Sequence, residues 1–574
     1  MSNDDERSGL LATNSHYGSI SGSPLEGAAV EGNDTSGEAF DNVPQTRRQL
    51  GVASAAFLIF NRVIGTGIFA TPSVILHSSG SAGVALLIWI LGALIAAAGT
   101  TVYVELGTVR HPPAYAAQAY LNLQGLPRSG GEKNYLEYMY RRPKFMITCA
   151  YAVYTFISGS SATNGIVFGE YLIRALAIPP STSATFSASR IIALIVLTFS
   201  LLMIGVFSKA GVRLQNILGS FKLFILAGIA ILGLLSLVGL PGIAVRPEYE
   251  TPDNLVSWAA LWKGSKGDAN SLVTALYNVI WSFIGYSNAN YALSEVKDPV
   301  RTIKRAAPLA IVSVAVVYML VNIAYFGVVS RGDILNSRQI VAALFFRNLF
   351  GPATERILSA AIALSSLGNI LAVLFTQGRG ECLVVSSAVV QELAREGILP
   401  FSAFLASNRP FGAPLNALWF LWGISVLGVI LPPAGDAYLF LLSMSSYSLT
   451  LVNTGVSFGL LLLHSSYRKS WHWDPPFRAP LAVIIGFFLS NVFLAVTPLI
   501  PPAPGKETFE RIPYYMHILV TILASQLGVL YWAVFFRWLP QRGGYELKRE
   551  QVLQDDGVSR VVFVKVPKVG SSRT

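Results

Sequence analysis

The sequence predicts an all-α polytopic membrane protein with twelve transmembrane helices, and three observations carry that prediction. The first is composition. Of 574 residues, 53% are apolar and only 13% are charged, and mean hydropathy is +0.53. Soluble domains carry about 25% charged residues. This chain could not cover a water-facing surface of its size, which argues against a cytosolic enzyme. The second observation is pattern. Between Leu50 and Trp538 the apolar residues form twelve continuous runs. Most hold about 20 predominantly apolar residues, enough to cross a hydrocarbon core of roughly 30 Å. They do not alternate as barrel strands would. The third is the placement of Lys and Arg. With an even number of spans both termini share one side. That side collects Arg47 and Arg48, then Arg128, Lys133, Arg141, Arg142 and Lys144, then Lys297, Arg301, Lys304 and Arg305, then Arg468 and Lys469. The opposite loops hold fewer cations, so both termini are expected in the cytosol. The formal net charge of +11 therefore reads as loop charge and not as a nucleic-acid surface. Two cysteines, Cys149 and Cys382, cannot staple a secreted fold.

The elements follow in order. Residues 1–46 carry eight carboxylates against one arginine and no apolar run, so residues 1–48 are expected to form a disordered, acidic cytosolic tail. They also lack the basic start and short apolar core of a signal peptide. The predicted spans are 51–77, 82–106, 145–177, 190–207, 212–239, 271–294, 307–330, 356–385, 414–432, 436–464, 480–499 and 513–538. Together they make a transmembrane domain over 49–538, followed by a cytosolic C-terminal tail over 539–574.

Two spans are interrupted. The first reads FLIFNRVIGTGIFATPSVIL, with Gly65, Thr66 and Gly67 in its middle and Pro72 beyond. Glycine costs about 1 kcal/mol against alanine in a helix interior. Unwound backbone at membrane depth is tolerated where protein or a cavity surrounds it. A broken helix offers unpaired N–H groups and a positive dipole end, which suit a carboxylate. The pattern alone fits either such a binding role or close helix packing. The sixth span reads ALYNVIWSFIGYSNANYALSEVKDP, where Gly285 precedes Ser287, Asn288 and Asn290 and is flanked by Trp281, Phe283 and Tyr286. Breaks at matching places in two halves point to a transporter site near the midplane, while each aromatic taken singly fits plain packing. Lys222 lies nine residues after Arg213, about 13 Å along a helix. An ammonium so deep needs a partner or a role, unless it snorkels from a shifted helix. Glu170 and Arg174 are spaced to pair along one helix, and Glu105 and Glu295 read as loop anchors. The six histidines show no ligand spacing, and no metal site, P-loop or nucleophile motif stands out. No enzymatic activity and no cofactor are expected.

The motifs taken together resemble the amino acid–polyamine–organocation superfamily. The matching pieces are GTGIFATP at Gly65–Pro72, YVELGT at Tyr103–Thr108, PRSGGEKNYLEY at Pro127–Tyr138 and RLQNILGSFKL at Arg213–Leu223. FIGYSNANYALSEVKDPVRTIKRA at Phe283–Ala306, LAREGILP at Leu393–Pro400, GAPLNAL at Gly412–Leu418 and FRAPL at Phe477–Leu481 complete the match. Within the superfamily, GGEKNYLEYMYRRPKF and YSNANYALSEVKDP look most like the fungal high-affinity methionine permeases. The resemblance implies a five-plus-five inverted repeat with helices 1 and 6 unwound, plus two further helices. It implies that amides around Gly65, Thr66 and Gly67 hold the substrate carboxylate. Carbonyls near Val63 and Ile64, and at Trp281, Phe283 and Ile284, would hold the amino group. Tyr286 belongs to the same facing segment. Trp281 falls at the position of an aromatic gate, and Lys222 at the helix 5 lysine that stands where sodium-coupled carriers place their ion.

One departure is evident. Val109–Gln124, VRHPPAYAAQAYLNLQ, intervenes where the family runs from ELGT almost directly into PRSGGE. Sixteen codons make 16 × 3 = 48 nucleotides, an in-frame length. Every valine codon begins with GT, and a glutamine codon can end in AG. Residues 109–124 are therefore read as a retained-intron insert, against the plainer reading of a lineage-specific loop. The expected function is secondary active import of an amino acid, methionine above all, coupled to protons across a fungal plasma membrane. A receptor-like nutrient sensor and an ion-independent exchanger are the alternatives. The expected partners are the substrate, protons, the lipid bilayer and the ubiquitin-ligase machinery. Residues 1–46 hold no lysine for the last of these, so acceptors would lie in the loops or at Lys548, Lys565 and Lys568.

Overall fold

A computed structural model describes residues 51–108, 131–140, 142–158, 160–178, 188–287, 290, 298–337, 340–375, 390, 393–394, 396–407, 415–433, 435–465, 473, 475–502, 509–553 and 559–567. All of them fall in one unit spanning 39–574. The acidic tail, the 109–124 insert, Asn288, Glu295 and Cys382 lie outside the described residues.

The first predicted span is three helices, α1 (Val52–Val63), α2 (Gly67–Ala70) and α3 (Pro72–Ser79). Pro72 opens α3, where its missing N–H removes no helical bond. Next come α4 (Ala82–Gly107) and the short α5 (Glu132–Met139). The third span is described as α6 (Met146–Ser158) and α7 (Ala162–Ala175), followed by α8 (Ala188–Gly205) and α9 (Ser208–Leu237). Asp268 caps the sixth span, its Oδ2 accepting from the Ser271 amide at 3.2 Å. That helix, α10 (Ala269–Phe283), stops well short of residue 294. The reason is local. Gly285 has φ +115, a conformation costly to any residue with a Cβ. Then follow α11 (Pro299–Val328), α12 (Val341–Phe350), α13 (Pro352–Phe375), α14 (Leu415–Ile430), α15 (Ala437–His464), α16 (Leu481–Val496) and α17 (Met516–Trp532).

Among the described residues nine helices are long and apolar enough to cross a bilayer. The fold is thus a predominantly helical, polytopic membrane protein. Large apolar side chains stay exposed on outward faces, such as Leu94 at 62% and Phe224 at 76%. Water would penalise that surface and lipid does not. The arrangement encloses the first break. α10 packs on α2, α3 and α4, α11 packs on α1, α4 and α9, and α13 packs on α7 and α9.

Two sequence expectations are refined. Arg174 reaches across to Glu355 at the start of α13, with Nε 2.6 Å from Oε1, so this cation ties α7 to another helix and not only to its own. Glu105 anchors a loop, as expected. Its buried carboxylate accepts from Trp473 Nε1 at 2.9 Å and from the Ala479 amide at 2.8 Å, and His464 Nε2 lies 2.6 Å away. The C-terminal tail carries a structure of its own. Strands β1 (Tyr545–Leu553) and β2 (Ser559–Pro567) form an antiparallel hairpin pairing Tyr545 with Pro567 and Leu553 with Ser559. Phe563 on β2 packs edge-on against Phe145 and Phe536 at 5.4 and 5.2 Å between ring centres.

Candidate functional site

The site is built where helix geometry fails. α1 ends at Val63, and Ile64 turns extended with φ −71 and ψ 99. Helical structure resumes at Gly67. Among the described residues no hydrogen bond is made by the amides of Thr66 and Gly67. Such amides at a helix start carry partial positive charge and point at whatever fills the space beyond them.

Several side chains hold this break open. Asn164 of α7 accepts at Oδ1 from Thr66 Oγ1 at 2.6 Å and from Asn369 Nδ2 of α13 at 3.0 Å. Lys222, 1% exposed in the middle of α9, donates from Nζ to the carbonyls of Asn61 and Ile64, both at 2.6 Å. These are the carbonyls that α1 leaves unpaired at its end. The lysine thus caps the carbonyl end of a broken helix. Tyr318 of α11 shares its hydroxyl proton between the carbonyls of Val63 at 3.0 Å and Ser282 at 2.9 Å. One hydroxyl thereby ties the break in the first span to the end of α10. Gly67 and Ser282 touch directly, and a Cβ on Gly67 would lie 2.4 Å from Ser282 Oγ and 2.9 Å from its Cα.

Between these elements lies a cleft of about 590 Å³, including its open mouth. Val63, Gly65, Thr66, Gly67, Trp281 and Ile284 line it. Four other predicted site residues do not. Ile64 and Lys222 stand behind the break, and Lys222 reaches the cleft only through the backbone it holds. Phe283 is buried against Trp89 and Tyr318, with ring centres 6.2 and 5.2 Å away. Tyr286 sits beside Tyr103 at 5.9 Å and accepts from Asn453 Nδ2 at 3.0 Å. Sequence reasoning missed Arg62, Tyr154, Asn164, Ser282 and Asn369, which also line the cleft. A signal for the two asparagines was present, since an amide in the middle of an apolar helix needs a polar partner.

The chemistry of the lining is specific. It offers free amides at one end and carbonyls at Val63, Ser282 and Ile284, each with a lone pair to spare. Ile284, Val373 and Leu449 supply an apolar wall. No described lining residue is a carboxylate, and no group of metal-ligating side chains occurs among the described residues. The cleft, lined also by the Arg62 guanidinium, suits a small zwitterion.

The similarities of the chain agree with this chemistry. The family model described as amino acid permease matches residues 50–523. The chain is 39% identical over 524 residues to the high-affinity methionine permease of Saccharomyces cerevisiae, covering 91% of this chain and 85% of that protein. It is 29% identical over 531 residues to the low-affinity methionine permease of the same yeast, covering 92% and 89%. It is 26% identical over 500 residues to the human b(0,+)-type amino acid transporter 1, covering 86% and 88%. With the family model matching most of its length and a relative 39% identical over 91% of it, the chain belongs to the amino acid permease family.

Proposed function

We propose that this permease imports methionine with protons across the plasma membrane, keeping both termini in the cytosol. The observation that carries the reading is the meeting of two helix interruptions at one cleft, Gly65–Gly67 facing Trp281–Ile284, tied together by Tyr318. In this reading twelve spans form a five-plus-five inverted repeat plus two helices. The amides around Gly65, Thr66 and Gly67 receive the carboxylate. The carbonyls of Val63, Trp281, Phe283 and Ile284 receive the ammonium, and Ile64 takes part through the carbonyl it shares with Lys222. Trp281 closes over the substrate, and Tyr286 holds the segment below it. The wall of Ile284, Val373 and Leu449 suits a thioether, whose sulfur is a weak acceptor needing no donor. Lys222 occupies the place of a coupling cation and makes sodium superfluous there. Methionine is favoured over other neutral amino acids by the similarity to two yeast methionine permeases.

The deciding experiment is uptake of radiolabelled methionine by a transporter-deficient host with competing amino acids and an uncoupler. Saturable uptake, competed by methionine analogues and abolished by the uncoupler, is expected. Equal competition by arginine or glutamate refutes the substrate, and uptake against a gradient that survives the uncoupler refutes proton coupling.

A further inference from the structure

Glu132 opens α5, and it is only 2% exposed. The neighbours that bind its carboxyl are hydroxyls. Ser287 donates to Oε1 at 2.9 Å, Tyr151 donates to Oε2 at 3.4 Å, and Tyr103 is hydrogen-bonded to it as well. Among the described residues it has no cationic partner, because the adjacent Lys133 turns to Glu137 and Glu396 instead. A buried, ionised carboxylate without a cation is costly, whereas the neutral acid is not. Burial accordingly pushes the Glu132 carboxyl up to about 7, against the pull of its hydroxyl bonds. An exposed glutamate exchanges its proton near 4.3.

The donors Ser287 and Tyr151 favour the ionised form, but the bond at Tyr103 suits a neutral acid. Tyr103 gives its only proton to Asn453 Oδ1 at 2.9 Å, and Asn453 Nδ2 donates to Tyr286 at 3.0 Å. Tyr103 therefore faces Glu132 with a lone pair, which an acid O–H can fill. The titratable and charged groups around the carboxyl come from every element packed there. They are Tyr103 of α4, Tyr135 and Lys133 of α5 itself, Tyr151 and Tyr154 of α6, and Tyr286 after α10. From α15 comes the neutral Asn453. Ser287 lies four residues past the end of α10, on the segment that begins at the second break. Tyr154 lines the substrate cleft itself, and its ring centre is 5.1 Å from that of Tyr151.

We propose that Glu132 is a proton-operated latch between cleft and cytosol, a positioning residue that clamps the Tyr286–Ser287 segment against α4 and α6 while it carries its proton. When the clamp opens, water reaches the carboxyl, the O–H bond breaks, and the proton leaves to the cytosolic water. The inference rests on the reading of the chain as a methionine importer with α5 on its cytosolic side. It adds a second titrating site to that reading, separate from Lys222.

Methionine counterflow in proteoliposomes tests it, because exchange at equal pH on both sides needs no proton gradient. Between about pH 6 and about pH 8, a group titrating near 7 goes from roughly a tenth to roughly nine-tenths ionised. Counterflow by the unaltered protein should rise up to about ninefold across that window. Glu132→Gln keeps an uncharged, hydrogen-bonding side chain and should hold the slow rate at every pH. Ser287→Ala removes the hydroxyl through which Glu132 holds the segment and should raise counterflow at about pH 6 toward the rate at about pH 8. A flat profile for the unaltered protein overturns the latch, as does a Glu132→Gln profile that follows the unaltered one. If Glu132→Gln does not reconstitute, Ser287→Ala decides alone, and a profile that follows the unaltered one overturns the latch. Counterflow that is absent at every pH in the unaltered protein instead sinks the functional reading on which the latch rests.

Discussion

At the scale of single residues, Gly67 and Lys222 make opposite demands on the break. Gly67 must have no side chain. Any Cβ there meets the Ser282 backbone at 2.9 Å, and backbone cannot swing aside as a flexible side chain can. Gly67→Val is expected to abolish uptake at unchanged surface level, and normal uptake kinetics in that variant remove the break from the substrate site. Lys222 must have its ammonium. Lys222→Ala strips two carbonyls of their donor, and charge-assisted bonds of this kind contribute about 1.5–3 kcal/mol each. Uptake should therefore fall by roughly tenfold or more, which initial-rate measurements at matched surface level will check. A variant with full activity and an unchanged pH profile would leave Lys222 a merely snorkelling cation. Both residues were legible in the sequence, because glycine inside a helix and lysine inside a membrane each break a local rule. Arg62 was missed although it breaks the same rule, being a cation inside the first span. Tyr154 was not legible, since its side chain breaks no local rule and only the tertiary fold shows that it faces the cleft.

At the scale of elements, the apolar runs mark where helices lie because burial in lipid is set by composition over some twenty residues. The ends of helices are set by backbone geometry and by single contacts, which hydropathy does not carry. Span six illustrates this. Its apolar character continues beyond Phe283, yet the helix ends there, and Gly285 takes φ +115. The tail illustrates a second gap. SRVVFVKVP is rich in β-branched residues and forms β2, but a strand pair needs its partner β1 and the aromatic seat offered by Phe145 and Phe536. Short elements outside the spans also take part in tertiary structure. Lys133 on α5 pairs with Glu396, and both are at most 5% exposed. Removing one partner of a buried ion pair costs about 3–5 kcal/mol, because the other charge stays behind. Lys133→Met is expected to lower the melting temperature of the detergent-solubilised protein, and Lys133→Met with Glu396→Leu to recover much of the loss. If the double variant is as unstable as the single one, the pair is not what holds α5 in place.

At the scale of the whole molecule, the path from α4 to α5 poses the sharpest question. α4 ends at Gly107 and α5 begins at Glu132, and the two elements are bound to each other through Tyr103 and Glu132. Residues 109–124 are not needed to name either element: without them the chain reads YVELGTGLPRSGGEKNYLEY, the spacing that the motif resemblance leads us to expect. An insert of sixteen residues adds little closure entropy to a loop, since each doubling of loop length costs only about 0.6 kcal/mol. The fold can therefore tolerate the insert whether or not the cell makes it, and the transcript decides between intron and loop. We expect mature messenger RNA to lack the 48 nucleotides of these 16 codons, and a chain deleted for 109–124 to reach the surface and take up methionine at least as fast as the full one. Messenger RNA that consistently retains them, together with a deletion that loses uptake, makes Val109–Gln124 a working part of the transporter.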